Sequence, residues 1–282
     1  MAGFQPRTLL EERCSASLEH EFERIIACVK KNFLEKLPKE SHKYSHGTVG
    51  VIAGSSEYSG AAVLCVGGAR RGGSGYINYI YQDELTRNLI LSAYPDVVVH
   101  KSAKDLMVDC WIVGPGSPEL ERRFSTPASK YAVLDSDAMR FAKDFNSEFV
   151  VITPHEGEAR KLGFAVGNGE FGRRASALEM AQALGCVVVL KGHRTVVASP
   201  EGLVVVDELA GPELATAGTG DILTGLIGSM LASWKPKTMK DVVVVVFKAI
   251  SAHALAAKAA SQELNPITSP DILQYLPIIL NQ

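Results

Sequence analysis

At 282 residues, with 46% hydrophobic and 21% charged side chains, the chain has ordinary globular composition, which excludes intrinsic disorder. Its 29 basic and 31 acidic residues leave a net charge of −2, so no basic surplus argues for nucleic acid or an anionic membrane as a partner. Five scattered cysteines (Cys14, Cys28, Cys65, Cys110 and Cys186) and a start without an apolar h-region fit reduced thiols in a cytoplasmic protein.

Residues 1 to about 46 are charged and helix-prone, with Pro38 breaking the pattern. A helical extension over 1–40, ahead of one domain over 41–282, is the expected organisation. From Thr48 short β-branched runs alternate with helical stretches punctuated by glycine. Strands are predicted over 48–53, 76–81, 96–99, 109–113, 131–135, 149–152, 186–190, 194–199 and 203–206. Their apolar runs are nearly continuous, as in strands covered on both faces. Helices are predicted over 60–71, 137–144, 156–163 and 172–184, the last stopped by Gly185. Such alternation implies a mostly parallel sheet between two helical layers. The runs 194–199 and 203–206, joined by Pro200, Glu201 and Gly202, predict a hairpin at one edge. Two long helical patterns follow Gly220, over 221–233 and about 240–260. The second contains the longest purely apolar run, 242–247, which is too short to span a bilayer.

The strongest chemical signal is Ala217, Gly218, Thr219, Gly220 and Asp221, running directly into a helix. Glycine allows the backbone to approach a ligand closely. The helix start offers free N–H groups and a positive dipole end, together an anion site. A carboxylate there, held ionised by the dipole, could deprotonate a hydroxyl that attacks a terminal phosphoryl group. The plain alternative makes Asp221 a capping residue in a tight turn. A second segment, Thr153 to Glu158, ends a predicted strand, where open α/β sheets bind ligands. Its plain alternative is a capping box of Thr153 with Glu156. Lys191 and Arg194 could neutralise phosphate charge, or form a solvated surface pair. His42 and His46 sit four apart in a loop unsuited to a metal pair, and His20, His100 and His253 have no supporting context.

The AGTGD motif with its small-residue helix resembles the anion hole of the ribokinase-like superfamily, in which the Asp is the catalytic base. Within that superfamily, Thr153-Pro154-His155-Glu156-Gly157-Glu158 is similar to the dehydratase form Thr-Pro-His-x-Gly-Glu rather than to the vitamin-kinase form Thr-Pro-Asn-x-x-Glu. The stretch from His42 to Ala62, the Gly114-Pro115-Gly116 turn, the 134–138 segment LDSDA and the 189–195 segment VLKGHRT also resemble the nucleotide-dependent NAD(P)H-hydrate dehydratases. Residues 40–278 carry the resemblance. One departure is the stretch before the anion hole, where the family's GNxGLAT reads Gly211, Pro212, Glu213, Leu214, Ala215 and Thr216, without the Asn.

The resemblance implies a three-layer α/β/α fold and repair of hydrated NADH or NADPH. ATP or ADP would phosphorylate the ring hydroxyl and phosphate would then be expelled. It implies Asp221 as catalytic base and substrate contact, with Ala61, Gly116 and His155 also on the substrate. It implies a nucleotide site of Lys191, Gly192, His193, Arg194, Thr195, Ala217, Gly218, Thr219 and Gly220. Mg²⁺ is the implied cofactor, with Glu158 organising it. Residues 1–40 are too few for the epimerase domain many members carry, so a separate epimerase protein is an expected partner, and a homo-oligomer is a further option. A vitamin-precursor kinase and a non-catalytic nucleotide sensor remain the alternatives.

Overall fold

In the central strands, successive side chains enter opposite cores: Phe149 and Val151 join one cluster, Val150 and Ile152 the other. A strand buried on both faces needs helices on both sides, and these strands have them. The computed structural model describes residues 33–34, 39–117 and 126–281. The elements are β1 (Thr48–Ile52), α1 (Ser59–Ala69), β2 (Tyr76–Ile80), α2 (Glu84–Ala93), β3 (Val98–His100), β4 (Cys110–Val113), β5 (Ser129–Leu134), β6 (Ser147–Ile152), α3 (Glu156–Lys161), α4 (Gly169–Leu184), β7 (Val187–Leu190), β8 (Val196–Ala198), β9 (Val204–Val206), α5 (Thr219–Trp234), α6 (Met239–Glu263) and α7 (Ser269–Leu280).

The sheet order is β3-β2-β1-β4-β5-β6-β7-β8-β9. The first seven strands pair in parallel, while β8 and β9 form the antiparallel edge hairpin that the sequence predicted. All nine predicted strands are present. Residues of α1, α2, α5, α6 and α7 cover one face, and those of α3 and α4 the other. Gly185 caps α4 in the left-handed conformation, φ 67°, as expected for a helix C-terminal glycine. The chain leaves β1 toward β2 and β3, then crosses back to place β4 on β1's other side. That reversal opens a crevice between the β1 and β4 ends, the usual ligand position in such sheets.

Two expectations need amendment. Residues 136–141 form a 3-10 helix rather than an α-helix. The apolar run 242–247 is only part of α6, a 25-residue helix long and apolar enough by composition to cross a membrane. Most of its apolar window is buried inside the protein, against α5, α7 and the sheet. The helical extension over 1–40 falls almost wholly outside the described residues, as do Cys14 and Cys28. Cys65, Cys110 and Cys186 are buried free thiols whose pKa values burial raises.

Candidate active site

Each segment singled out for chemistry follows a strand end on one side of the sheet, or opens α5. Gly54 follows β1, Gly114 to Gly116 follow β4, Asp135 follows β5, Thr153 to Glu158 follow β6, and Lys191 follows β7. Hydrogen bonds knit these ends together. Gly54 N–H donates to the Pro115 carbonyl at 2.7 Å, and Lys191 N–H donates to that of Pro154 at 2.8 Å.

Two cavities open along this edge, and His155 and Gly218 line both. One, of about 600 Å³, brings together Ala61, Gly116, His155, Glu158 and Asp221. The other, of about 590 Å³, is lined by Lys191, Gly192, His193, Thr195, Gly218, Thr219 and Gly220. Two expected nucleotide residues sit elsewhere. Ala217 lines the first cavity, and the Arg194 guanidinium lines a third, where Glu170 Oε2 accepts from it at 2.6 Å.

Gly218 is the N-cap of α5, at φ 88°, and makes no side-chain cap. The first helical N–H groups have no partner within their own helix, so they face the cavities as ready anion donors. Only glycine suits that position, because a Cβ would overlap Leu64 Cδ1 and the backbone is left-handed. Gly116, φ 65°, is equally constrained: a Cβ there would lie 2.5 Å from Ala61 Cβ and 2.9 Å from the Tyr58 carbonyl oxygen.

His155 caps α3, accepting at Nδ1 from the Gly157 and Glu158 N–H groups, while Glu158 Oε2 accepts the His155 N–H at 2.7 Å. The capping box is therefore His155 with Glu158, not Thr153 with Glu156. Thr153 is fully buried instead, its hydroxyl donating to Asp135 Oδ1 at 2.5 Å. With Nδ1 committed as an acceptor, neutral His155 carries its proton on Nε2, which lies 3.6 Å from Glu158 Oε2.

Behind the cavities lies a compact charge cluster. Lys191 Nζ contacts Asp135 Oδ1 at 2.9 Å and Glu158 Oε2 at 3.6 Å. Burial alone would lower the lysine pKa, but the Asp135 and Glu158 carboxylates outweigh it and raise it. Asp221 is pushed up to about 7, first by burial, then by repulsion from Asp135, with Lys191 opposing. The expectation that the helix dipole holds Asp221 firmly ionised is thus corrected: desolvation and two neighbouring carboxylates dominate. A carboxyl titrating near neutrality, in the first turn of a helix, is suited to general-base work.

Asp135 was legible only as part of a motif, with no role attached. Asp207 and His253 were not picked out, although both are buried and line the second cavity. Neither stands in a recognisable sequence pattern. They reach the site from the β9 end and from the middle of α6.

The model of the NAD(P)H-hydrate dehydratase family matches residues 49–278. This chain belongs to the NAD(P)H-hydrate dehydratase family. A bifunctional NAD(P)H-hydrate repair enzyme of Mycobacterium tuberculosis is 36% identical over 207 residues, which is 69% of this chain and 42% of that protein. The chain thus spans less than half the length of that relative. The ADP-dependent (S)-NAD(P)H-hydrate dehydratase of Neisseria meningitidis is 34% identical over 217 residues, covering 70% of this chain and 73% of its own. Among solved structures, the ADP/ATP-dependent NAD(P)H-hydrate dehydratase of Bacillus subtilis, co-crystallised with ATP and Mg²⁺, aligns with a TM-score of 0.77 at 28% identity. It covers 90% of this chain and 95% of its own. The ribokinase-like α/β fold expected from the sequence is therefore the fold of this family member.

Proposed function

We propose that the chain, through one catalytic domain over 41–282, dehydrates hydrated NADH or NADPH at the expense of ATP or ADP. The observation that carries this reading is the position of Asp221, titrating near neutrality in the first turn of α5 and lining the cavity of Ala61 and Gly116, which shares Gly218 and His155 with the second cavity. The family and the named activities of its Neisseria and Bacillus relatives support it.

The hydrated ring occupies the cavity of Ala61, Gly116 and His155, where the His155 Nε2–H donates to the substrate. The nucleotide lies against Lys191, Gly192, His193 and Thr195, with its terminal phosphoryl at the N–H groups of Gly218, Thr219 and Gly220. Arg194 and Ala217 contribute through backbone position, since Glu170 holds the Arg194 side chain. Asp221 accepts the proton of the ring hydroxyl, whose oxygen attacks the terminal phosphorus. The bond from phosphorus to the bridging oxygen breaks, releasing AMP from ADP or ADP from ATP. The ring nitrogen lone pair then expels phosphate, and loss of a neighbouring C–H proton restores the dihydronicotinamide.

Among the described residues no three His, Cys, Asp or Glu side chains converge as a metal cage. A magnesium ion held largely by phosphate oxygens and water needs no such cage. Glu158, with Oε2 accepting from His155 and facing Lys191, keeps Oε1 for that role. The ion would neutralise charge on the nucleotide phosphates. A separate epimerase partner, self-association and a cytoplasmic setting belong to the same reading.

The test is to incubate the protein with Mg²⁺, chemically hydrated NADH and either ATP or ADP while following the reduced-nicotinamide absorbance band. Nucleotide-dependent growth of the band, lost in Asp221→Asn, is the expected result and identifies the phosphoryl donor. A folded protein that binds ATP yet never restores the band would overturn the proposal in favour of a kinase that stops at a phosphorylated alcohol.

A further inference from the structure

The reaction proposed above needs a second proton acceptor, because the ring must lose a C–H proton as phosphate departs. Among the described residues, four carboxyl or imidazole side chains line the substrate cavity: Asp137, His155, Glu158 and Asp221. Three of them are committed. His155 accepts N–H groups at Nδ1, which leaves its proton on Nε2. Glu158 Oε2 accepts the His155 N–H and faces Lys191, and its Oε1 is the oxygen read as the magnesium contact. Asp221 carries the hydroxyl proton once the phosphoryl group has moved.

Asp137 differs. Its carboxylate makes no hydrogen bond or ion pair with any described residue, and the side chain is half-buried in the cavity wall. Asp135 and Asp137 stand two apart just past β5, where strand alternation would send both side chains the same way. Ser136 breaks that pattern by taking left-handed backbone, φ 50°, which is uncommon outside glycine. Asp135 is buried against Lys191, with Ser136 Oγ donating to its Oδ2 at 3.1 Å. Asp137 instead sits in the first turn of the 3-10 helix and lines the cavity. Gly114 makes room for the turn, since a Cβ there would strike the Asp135 carbonyl and Ala138. Non-glycine residues held in such backbone conformations cluster at active sites.

We propose that Asp137 is the base of the second half-reaction, taking the C–H proton next to the carbon that carried the hydroxyl. This rests on the reading of the cavity as the site of the hydrated ring. The ring nitrogen lone pair forms a C=N bond as the C–O bond breaks, and phosphate leaves with the C–O electron pair. The iminium so formed acidifies the C–H bond on the adjacent carbon. Asp137 takes that proton, the C–H electron pair becomes the ring C=C bond, and the C=N pair returns to nitrogen. Two carboxylates thus divide the reaction: Asp221 serves phosphoryl transfer, and Asp137 serves the elimination that follows.

The experiment follows two readouts in one rapid-quench mixture of the full chain, Mg²⁺, hydrated NADH and whichever of ATP or ADP the unaltered chain uses. Nucleotide cleavage is measured chromatographically, and return of the reduced-nicotinamide band by absorbance. In the unaltered chain the two keep step. In Asp137→Asn, band return should fall by roughly 10²–10⁴-fold, while the first turnover of nucleotide cleavage keeps its rate. Asp137→Glu, which retains a carboxylate, should recover part of the band return. If Asp137→Asn does not fold, Asp137→Ser carries the same comparison. Unchanged band return in the folded variant would overturn the inference, since proton loss then needs no such base. So would an equal fall in first-turnover cleavage, which would place Asp137 in binding or in phosphoryl transfer. An unaltered chain that never restores the band is a distinct result, and it removes the proposed function together with this inference.

Discussion

Lys191 Nζ lies 2.9 Å from Asp135 Oδ1, and this ion pair ties the end of β7 to the end of β5 within electrostatic reach of Asp221. With Glu158 nearby, three carboxylates share one ammonium. The proton affinity of Asp221 is therefore a property of the cluster, as much as of its own burial.

The pH dependence of turnover follows from that affinity. Asp221 must be ionised to accept a proton, so kcat should fall as pH drops below about 7. Asp135→Asn removes a repelling charge and should move this acidic limb to lower pH. Lys191→Met removes the attracting charge and should move it to higher pH. Asp221→Asn should abolish the limb and lower kcat by roughly 10²–10⁴-fold. Steady-state pH profiles of the three variants check the signs.

Asp221 also ties stability to pH. Its folded pKa lies above the unfolded value of about 4. Between these values the native state holds more protons than the unfolded one, so rising pH costs stability across that window. Asp221→Asn cannot ionise and escapes the cost. Its melting temperature should exceed that of the unaltered protein by more at pH 8 than at pH 4, which thermal scans at the two pH values measure.

Gly116→Ala and Gly218→Ala should separate the two cavities. A methyl at Gly116 is driven against Ala61 and Tyr58, on the substrate side, and should raise KM for the hydrated dinucleotide with little effect on nucleotide affinity. A methyl at Gly218 meets Leu64 and disturbs the anion cradle, so it should weaken nucleotide binding and lower kcat. Each forces a non-glycine residue into left-handed backbone, costing about 1–2 kcal/mol, which denaturant titration measures.

His155 has two roles that substitution can part. His155→Ala removes the cap of α3 and should destabilise the fold by about 1 kcal/mol. His155→Asn keeps a capping acceptor but withdraws the Nε2–H. Both should raise KM for hydrated NADH, while only the alanine variant lowers the melting temperature. A normal KM in the asparagine variant would remove the ring from the substrate contact.

The sequence by itself determined the strands, the edge hairpin and which candidate residues stand at the strand ends. Nearly continuous Val and Ile runs can be buried only between two helical layers, and Gly116, Gly218 and Gly185 occupy left-handed positions that β-carbons resist. The Thr153–Glu156 cap that it left open as an alternative does not form, because the Thr153 hydroxyl is drawn inward by the Asp135 carboxylate, which arrives from a neighbouring strand. The cluster of Asp135, Glu158, Lys191 and Asp221 could not be read from spacing, because its members lie 23 to 86 positions apart and meet only when the parallel strand ends align. The same holds for Asp207 and His253. Only the packing of α6 against the start of α5, and the closing of the sheet edge by β9, bury their polar atoms at one cavity wall. Burial likewise decided the proton affinity of Asp221, because desolvation depends on how much of the tertiary structure covers a carboxyl.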